Sequence, residues 1–394
     1  MRWGRAVAVG LVLVSAAGCA RFRYDNTSVV FDRPFRAAHD PVWLIWLKTS
    51  YFYPVRDAAL FTWLGRSLFA DESWNVTAEG GVADGPFFVN RDISSIAPEL
   101  AAAGPAVAPA PLGPWRIKKR KEAGQTPGFI GEDAVGRTFL VKMDDLDYPE
   151  LGTSAEIIGA RVCWLMGYRV PAVYRVAIDG TGDPSYDGRR ATASLFVPGR
   201  VVGQFKLDHY RMRREIRGLR LVSAWLNDTD RTDNNTLVSI QDGRAVCYLI
   251  DFNSCLGSWN GRPKEPWRGW RHEWDVSYQL LGVLTLGLLP KLPTDTEIRS
   301  PAVGTYDLLA ASDARRWRSE DAQTAFDRVT HADAEWVARR MAAVTRSQLQ
   351  AIVEAAAYSR EEDAASVLQM LIERRRRVLE GWGLERLLHR TDPK

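Results

Sequence analysis

Asp230-Arg231-Thr232-Asp233-Asn234-Asn235, with Leu249-Ile250-Asp251-Phe252-Asn253 downstream, sets an acid, an amide and a second acid in order, Asp251 falling sixteen residues after Asn235. Metal-dependent phosphoryl transfer uses these residue types in this order: one carboxylate orients or deprotonates the attacking hydroxyl, while an Asn oxygen and a further carboxylate hold magnesium. Asp230 suits the first role, Asn235 and Asp251 the second. The apolar run Ala245 to Ile250 follows the turn signal Gln241-Asp242-Gly243 and predicts a strand ending at Asp251. Upstream, Ile216, Leu219, Val222 and Leu226 recur at helical spacing, interrupted by Gly218. The acid and amide loop therefore leaves a helix and enters a hairpin. Taken singly, Asp- and Asn-rich stretches make turns, and a strand-end Asp caps helices. Their order around a hairpin is what favours a site.

The segment from Leu226 to Asn235, together with Leu249 to Asn253, resembles the catalytic and metal loops of atypical kinases, namely the type II phosphatidylinositol 4-kinases and the HipA-type serine kinases. Asn253 stands where conventional protein kinases have Gly. The resemblance implies a two-lobed α+β kinase-like fold, a strand-rich first lobe and a helical second lobe, with ATP and Mg2+ as cofactors. It also calls for a strand lysine on the phosphates and a helix glutamate on the lysine. Thr126 to Asp144 reads as two strands around a turn, the second carrying Lys142. Thr153-Ser154-Ala155-Glu156 opens a helix running from Ile157 to Met166 and leaving through Gly167 and Val170-Pro171. Lys142 and Glu156 are the implied pair. Plainer readings stand beside them: Lys142 as a strand-edge lysine, Glu156 as the acidic half of a capping box with Thr153. Gly128, Gly131 and Gly136 are turn residues that could cover phosphates. Ala191 to Gly199 reads as a strand running into an inter-lobe connection, where Phe196 and Val197 would lie against adenine, or simply belong to the core.

Arg2 and Arg5, the apolar run Ala6 to Val14, and Ser15-Ala16-Ala17-Gly18-Cys19 form a secretory signal too short to span a membrane. The small residues before Cys19 resemble a bacterial lipobox, with Ala16 where Leu is usual. That resemblance implies a lipid on Cys19 and an extracytoplasmic protein anchored in the bacterial envelope; an ordinary cleaved signal is the alternative. Cys163, Cys247 and Cys255 remain, as buried thiols or with Cys247 and Cys255 bridged across a turn. No Cys/His spacing suggests zinc.

The 394 residues, 46% hydrophobic, suffice for one two-lobed domain and an extension. The formal charge of +4 argues against a nucleic-acid partner held by phosphate neutralisation. The basic runs Arg116 to Lys121 and Arg374 to Arg377 read as solvated faces, with contact to anionic lipid heads or phosphates as the alternative. The expected organisation is a signal at 1–18, an extension at 19–97 packing on the body, an Ala/Pro-rich linker at 98–114, a first lobe at 115–197 and a second at 198–394. Asn75 and residues 85–91 carry no assignable role. Leu280 to Leu289 reads as a core helix. Thr330, Thr345 and Ser359 each stand three residues before an acid or amide and predict helix starts. Trp259, Trp267, Trp270 and Trp274 form a substrate wall or a core. Two functions follow: an ATP/Mg-dependent phosphotransferase acting on a hydroxyl of an envelope protein, lipid or sugar, or a pseudokinase lipoprotein serving as a scaffold.

Overall fold

A computed structural model describes residues 71–390 apart from 107, 122–124, 274, 288–296, 309–313 and 322. Cys19, the signal segment and Trp274 lie outside the described residues. The strand-rich part is a five-stranded antiparallel sheet in the order β1-β2-β3-β5-β4, with β1 Arg116–Arg120, β2 Gly128–Glu132, β3 Thr138–Met143, β4 Val173–Ala177 and β5 Arg190–Leu195. Alternation along β3 sends Phe139, Val141 and Met143 to one face, where they join Trp115, Phe129 and Tyr174 in a separate small core. Lys142 consequently points to the opposite face. At its start β2 lies so close to β3 that a Cβ on Gly128 would sit 2.1 Å from the Val141 carbonyl oxygen.

Two short helices flank this sheet in sequence: α1 Pro98–Ala103, and α2 Leu151–Leu165 between β3 and β4. The second, helical part holds α3 Arg214–Leu226, α4 Val276–Leu284, α5 Thr324–Asp327, α6 His331–Ala343, α7 Arg346–Ala356 and α8 Glu361–Gly381. A three-stranded sheet in the order β6-β7-β8 lies among them, with β6 Arg200–Gly203, β7 Thr236–Gln241 and β8 Arg244–Leu249, followed by the small hairpins β9 Ser258–Trp259 with β10 Arg262–Pro263 and β11 Ile298–Ser300 with β12 Gly304–Thr305. The architecture is thus the expected α+β one, strand-rich in its first part and helical in its second. Helix α2 is buried along almost its whole length, and it belongs to the main core together with α3, α6, α7 and α8. Gly159 allows it to approach the metal loop, since a Cβ there would meet Cys255 Sγ and Phe252 Cβ at 2.7 Å.

Residues 71–96 lie along the helical part. Asn75, which the sequence left without a role, serves the start of α3: its Oδ1 accepts the Arg214 N–H at 2.8 Å and its Nδ2 donates to Glu215 at 2.5 Å. Phe88 packs against Tyr168 and Trp336, with ring centroids 5.8 and 5.3 Å away.

Several expectations need correction. The stretch read as linker begins with α1, because Pro at the first turn and three alanines favour helix, and its Ala101 is buried against the core. The apolar run at 280–289 is not a core helix in its described part: Val283, Leu284 and Leu286 are 75, 79 and 92% exposed, since apolarity alone does not say which face is covered. Thr330 and Thr345 make complete capping boxes with Asp333 and Gln348, but Ser359 bonds Glu150 and leaves Arg360 at the N-cap of α8. Arg116 to Lys121 forms the charged edge strand β1 and its exit. Arg374 and Arg375 are buried, not solvated. Arg374 donates to the Ala224, Trp225 and Asp307 carbonyls at 2.6 to 2.9 Å. Two of these carbonyls close the C-terminus of α3, where helical partners run out. Cys247 and Cys255 are both free and buried, as is Cys163. No described helix is long and apolar enough to cross a membrane.

Candidate active site

Lys142 leaves β3 toward α2 and meets two carboxylates. Its Nζ donates to Glu156 Oε2 at 2.5 Å and to Asp251 Oδ1 at 2.9 Å. The capping-box reading of Glu156 fails for a local reason: α2 starts at Leu151, and Asp144 takes the Thr153 N–H at 2.8 Å and its hydroxyl at 2.7 Å. Glu156, one turn further in, is left free to face Lys142, and it also accepts the Phe252 N–H at 3.2 Å. Burial works against a charge on Lys142, but Asp251 and Glu156 outweigh it and hold the ammonium above its ordinary value. Burial likewise opposes ionisation of Asp251, and Lys142 reverses the balance, so its carboxyl stays below the usual range.

The loop between α3 and β7 is tied to the residues after β8 by Arg231, whose side chain is fully buried. Its guanidinium donates to the Asn235 and Ile250 carbonyls at 2.8 Å and to the Asp251 carbonyl at 3.1 Å, pairs with Asp228 at 2.7 Å, and lies 4.5 Å from the Phe252 ring centroid. Asp251 itself adopts φ +56°, a left-handed conformation that the surrounding bonds enforce. Asn235 Nδ2 donates to the Asp230 carbonyl at 2.6 Å, so the amide oxygen remains for another partner. Burial, then the charges of Glu320 and Asp251, raise the Asp230 carboxyl well above the usual range, against the opposing hydrogen bond from Asn235.

The structure therefore brings Lys142, Glu156 and Asp251 into direct contact and laces Asp230 and Asn235 to Asp251 through backbone and Arg231. Phe196 and Val197 follow β5 and lie outside this network; the Phe196 N–H is taken by the Thr138 carbonyl at 3.1 Å, and its ring is 48% exposed. Of the glycines offered as phosphate cover, Gly128 lies in β2 directly opposite Lys142, Gly131 further along β2, and Gly136 in the turn to β3. Thr126, just ahead of β2, approaches the site, its hydroxyl accepting from Asn253 Nδ2 at 2.9 Å.

Sequence reasoning missed three side chains here. Lys264 is buried and donates to the Asn227 and Ser254 carbonyls, fastening the two loops from below. Glu320 takes the Thr229 hydroxyl at 3.1 Å and pairs with Arg268 at 2.6 Å. Arg268 in turn is enclosed by Trp259 and Trp267, 3.7 and 4.5 Å from their ring centroids. These two tryptophans thus hold a cation beside the site instead of a plain core contact. Nothing in their spacing pointed to it.

Among the described residues no group of three or more His, Cys, Asp or Glu side chains forms a metal cage. The amide oxygen of Asn235 with the carboxylate of Asp251 is nonetheless a hard oxygen donor set of the kind magnesium uses with phosphates and water completing its shell.

No protein-family model matches the chain, and no curated protein does. Among solved structures, the proinflammatory kinase CtkA of Helicobacter pylori aligns with a TM-score of 0.41 at 10% identity over 71% of this chain and 97% of its own. HipA, in its complex with HipB and operator DNA from Shewanella oneidensis, aligns with a TM-score of 0.35 at 11% identity over 83% of this chain and 80% of its own. Both are distant likenesses over part of the chain.

Proposed function

We propose that this protein is an ATP- and magnesium-dependent phosphotransferase of the atypical kinase type, acting on a hydroxyl of an envelope protein, lipid or sugar while anchored through a lipid on Cys19. The observation that carries the reading is the Lys142 contact with Glu156 and Asp251, at 2.5 and 2.9 Å, which joins groups 14 and 109 residues away in sequence. A buried lysine between two carboxylates is a costly arrangement, and a phosphate-binding role accounts for it.

In this reading Glu156 fixes the Lys142 ammonium, and Lys142 faces the phosphates. Asn235 and Asp251 would hold magnesium, which when bound with ATP supplies a phosphoryl group whose charge is already partly neutralised. Asp230 takes the proton of the acceptor hydroxyl. Arg231 keeps the two loops in register. Phe196 and Val197, at the connection after β5, would border the base.

Titration of the full chain with Mg-ATP tests this. Binding that weakens on Asp251→Ala supports the reading, and transfer of labelled phosphate into envelope extract then identifies the acceptor class. Absence of binding for every nucleotide overturns it in favour of a scaffold.

A further inference from the structure

The charges around Lys142 do not balance for a polyphosphate. Its ammonium is shared by two carboxylates, Arg231 is committed to Asp228, and Arg268 to Glu320 and Glu265. Asp230 adds a further acid. Even with magnesium, a triphosphate entering this cleft needs another cation, because each anionic oxygen removed from water requires a partner.

The turn from β1 to β2 carries one. Lys121 leaves β1, and its Nζ donates to the Thr126 carbonyl at 2.8 Å. Among the described residues it makes no ion pair with a carboxylate. Thr126 is fixed from the other side: its hydroxyl accepts from Asn253 Nδ2 at 2.9 Å, and both residues are buried. Asn253 is two residues past Asp251. A hydrogen-bonded chain thus runs from the residues after Asp251 through Asn253 and Thr126 to the Lys121 ammonium. Burial, then Lys142, lowers the Lys121 ammonium below its ordinary value against the opposing charges of Asp251 and Glu156. A conventional Gly at position 253 would lack the amide that makes the link.

We infer that Lys121 is a second phosphate-binding cation of the nucleotide site, and that Asn253 is a positioning residue which sets it through Thr126. The inference rests on the nucleotide-binding reading above and extends it. Lys121 exchanges its carbonyl partner for a phosphate oxygen, a stronger, charge-assisted bond. Asn253 touches no ligand and acts through the turn.

The test is calorimetric titration of the full chain with Mg-ATP, Mg-ADP and adenosine. Lys121→Met is expected to weaken both nucleotides about 10- to 100-fold, the range for a hydrogen bond to a charged group, and to leave adenosine unchanged. Asn253→Ala and Thr126→Val are each expected to weaken Mg-ATP about 5-fold, whereas Thr126→Ser, which keeps the hydroxyl, restores wild-type binding. The Lys121→Met/Asn253→Ala double variant should bind no worse than Lys121→Met, because the second change acts only through the first. If Lys142→Met abolishes Mg-ATP binding while Lys121→Met leaves it intact, the inference fails and the kinase reading stands. If the wild-type chain binds no nucleotide, both fall. An equal loss of adenosine affinity in Lys121→Met would reduce Lys121 to a structural residue and also refute the inference.

Discussion

Replacing Glu156 by Leu should destabilise the fold more than replacing Glu156 and Lys142 together. The side chains of Lys142 and Glu156 are only 4 and 3% exposed, while that of Asp251 is 33% exposed. Removing one partner of a buried pair costs about 3–5 kcal/mol, because the other charge stays buried. Here Asp251 still holds the ammonium, which puts the loss near the lower end, about 3 kcal/mol. The Phe252 N–H loses its acceptor as well, adding about 1 kcal/mol. At roughly 2 °C per kcal/mol for a chain of this size, Glu156→Leu should melt about 8 °C below wild type. The double variant Lys142→Met/Glu156→Leu removes the stranded ammonium and fills the site with apolar groups. The Phe252 N–H is then unpaired and Asp251, a third exposed, exchanges Lys142 for water, so the expected loss falls to about 2 kcal/mol, or about 4 °C. Thermal unfolding followed by circular dichroism at pH 7 measures both. The reasoning is refuted if the double variant melts at or below the single one, since the two side chains would then contribute independently and the buried pair would not be what Glu156 supports.

The other expectations concern chemistry, pH and packing. Asp230→Asn should keep Mg-ATP affinity within about 2-fold yet lower labelled-phosphate transfer by about 10²–10⁴, the usual contribution of a positioned base; unchanged transfer would remove Asp230 from that role. Burial lowers the Lys264 ammonium from 10.5 to about 8. Between those values the unfolded chain binds this proton and the folded chain does not, so the Lys264 contribution to stability rises from pH 8 to 10.5 and is lost as pH falls toward 8. Urea unfolding of wild type against Lys264→Met should therefore show a difference that grows in favour of wild type by up to about 3 kcal/mol over that window, and a pH-independent difference would contradict it. Arg374→Met takes the guanidinium from three buried carbonyls, of which that of Ala224 keeps the Asn227 N–H; the expected cost is about 2–4 kcal/mol in urea unfolding, and a loss under about 1 kcal/mol would show that water or other groups replace the guanidinium.

How far the sequence could be read depended on whether a residue's partners were themselves side chains in a recognisable order. The helix, loop and hairpin from Ile216 to Asp251 were legible because two hydrophobic periods, 3.6 and 2, bracket a polar loop, and the structure has α3, residues 227–235 and the β7-β8 hairpin there. Glu156 was ambiguous only locally. The same Thr153-x-x-Glu156 spacing fits a capping box, and the decision lay with Asp144, nine residues before Thr153, which takes that residue's N–H and hydroxyl. Arg374, Arg375 and Lys264 were not legible at all. Their partners include the main-chain carbonyls of Ala224, Trp225, Asp307, Met341, Val344, Asn227 and Ser254, and a carbonyl has no residue type to read. A cluster of basic residues near helix ends can therefore be solvated or deeply buried with the same sequence, and the deciding quantity is how many helix C-termini the fold brings within reach. In this chain the C-terminus of α3 precedes the loop carrying Asp230, so the need to satisfy its last carbonyls places Arg374 of α8 directly behind the site. The position of the acid and amide loop is fixed in part by a helix some 140 residues later, a dependence that Arg374→Met exposes if it lowers Mg-ATP affinity along with stability.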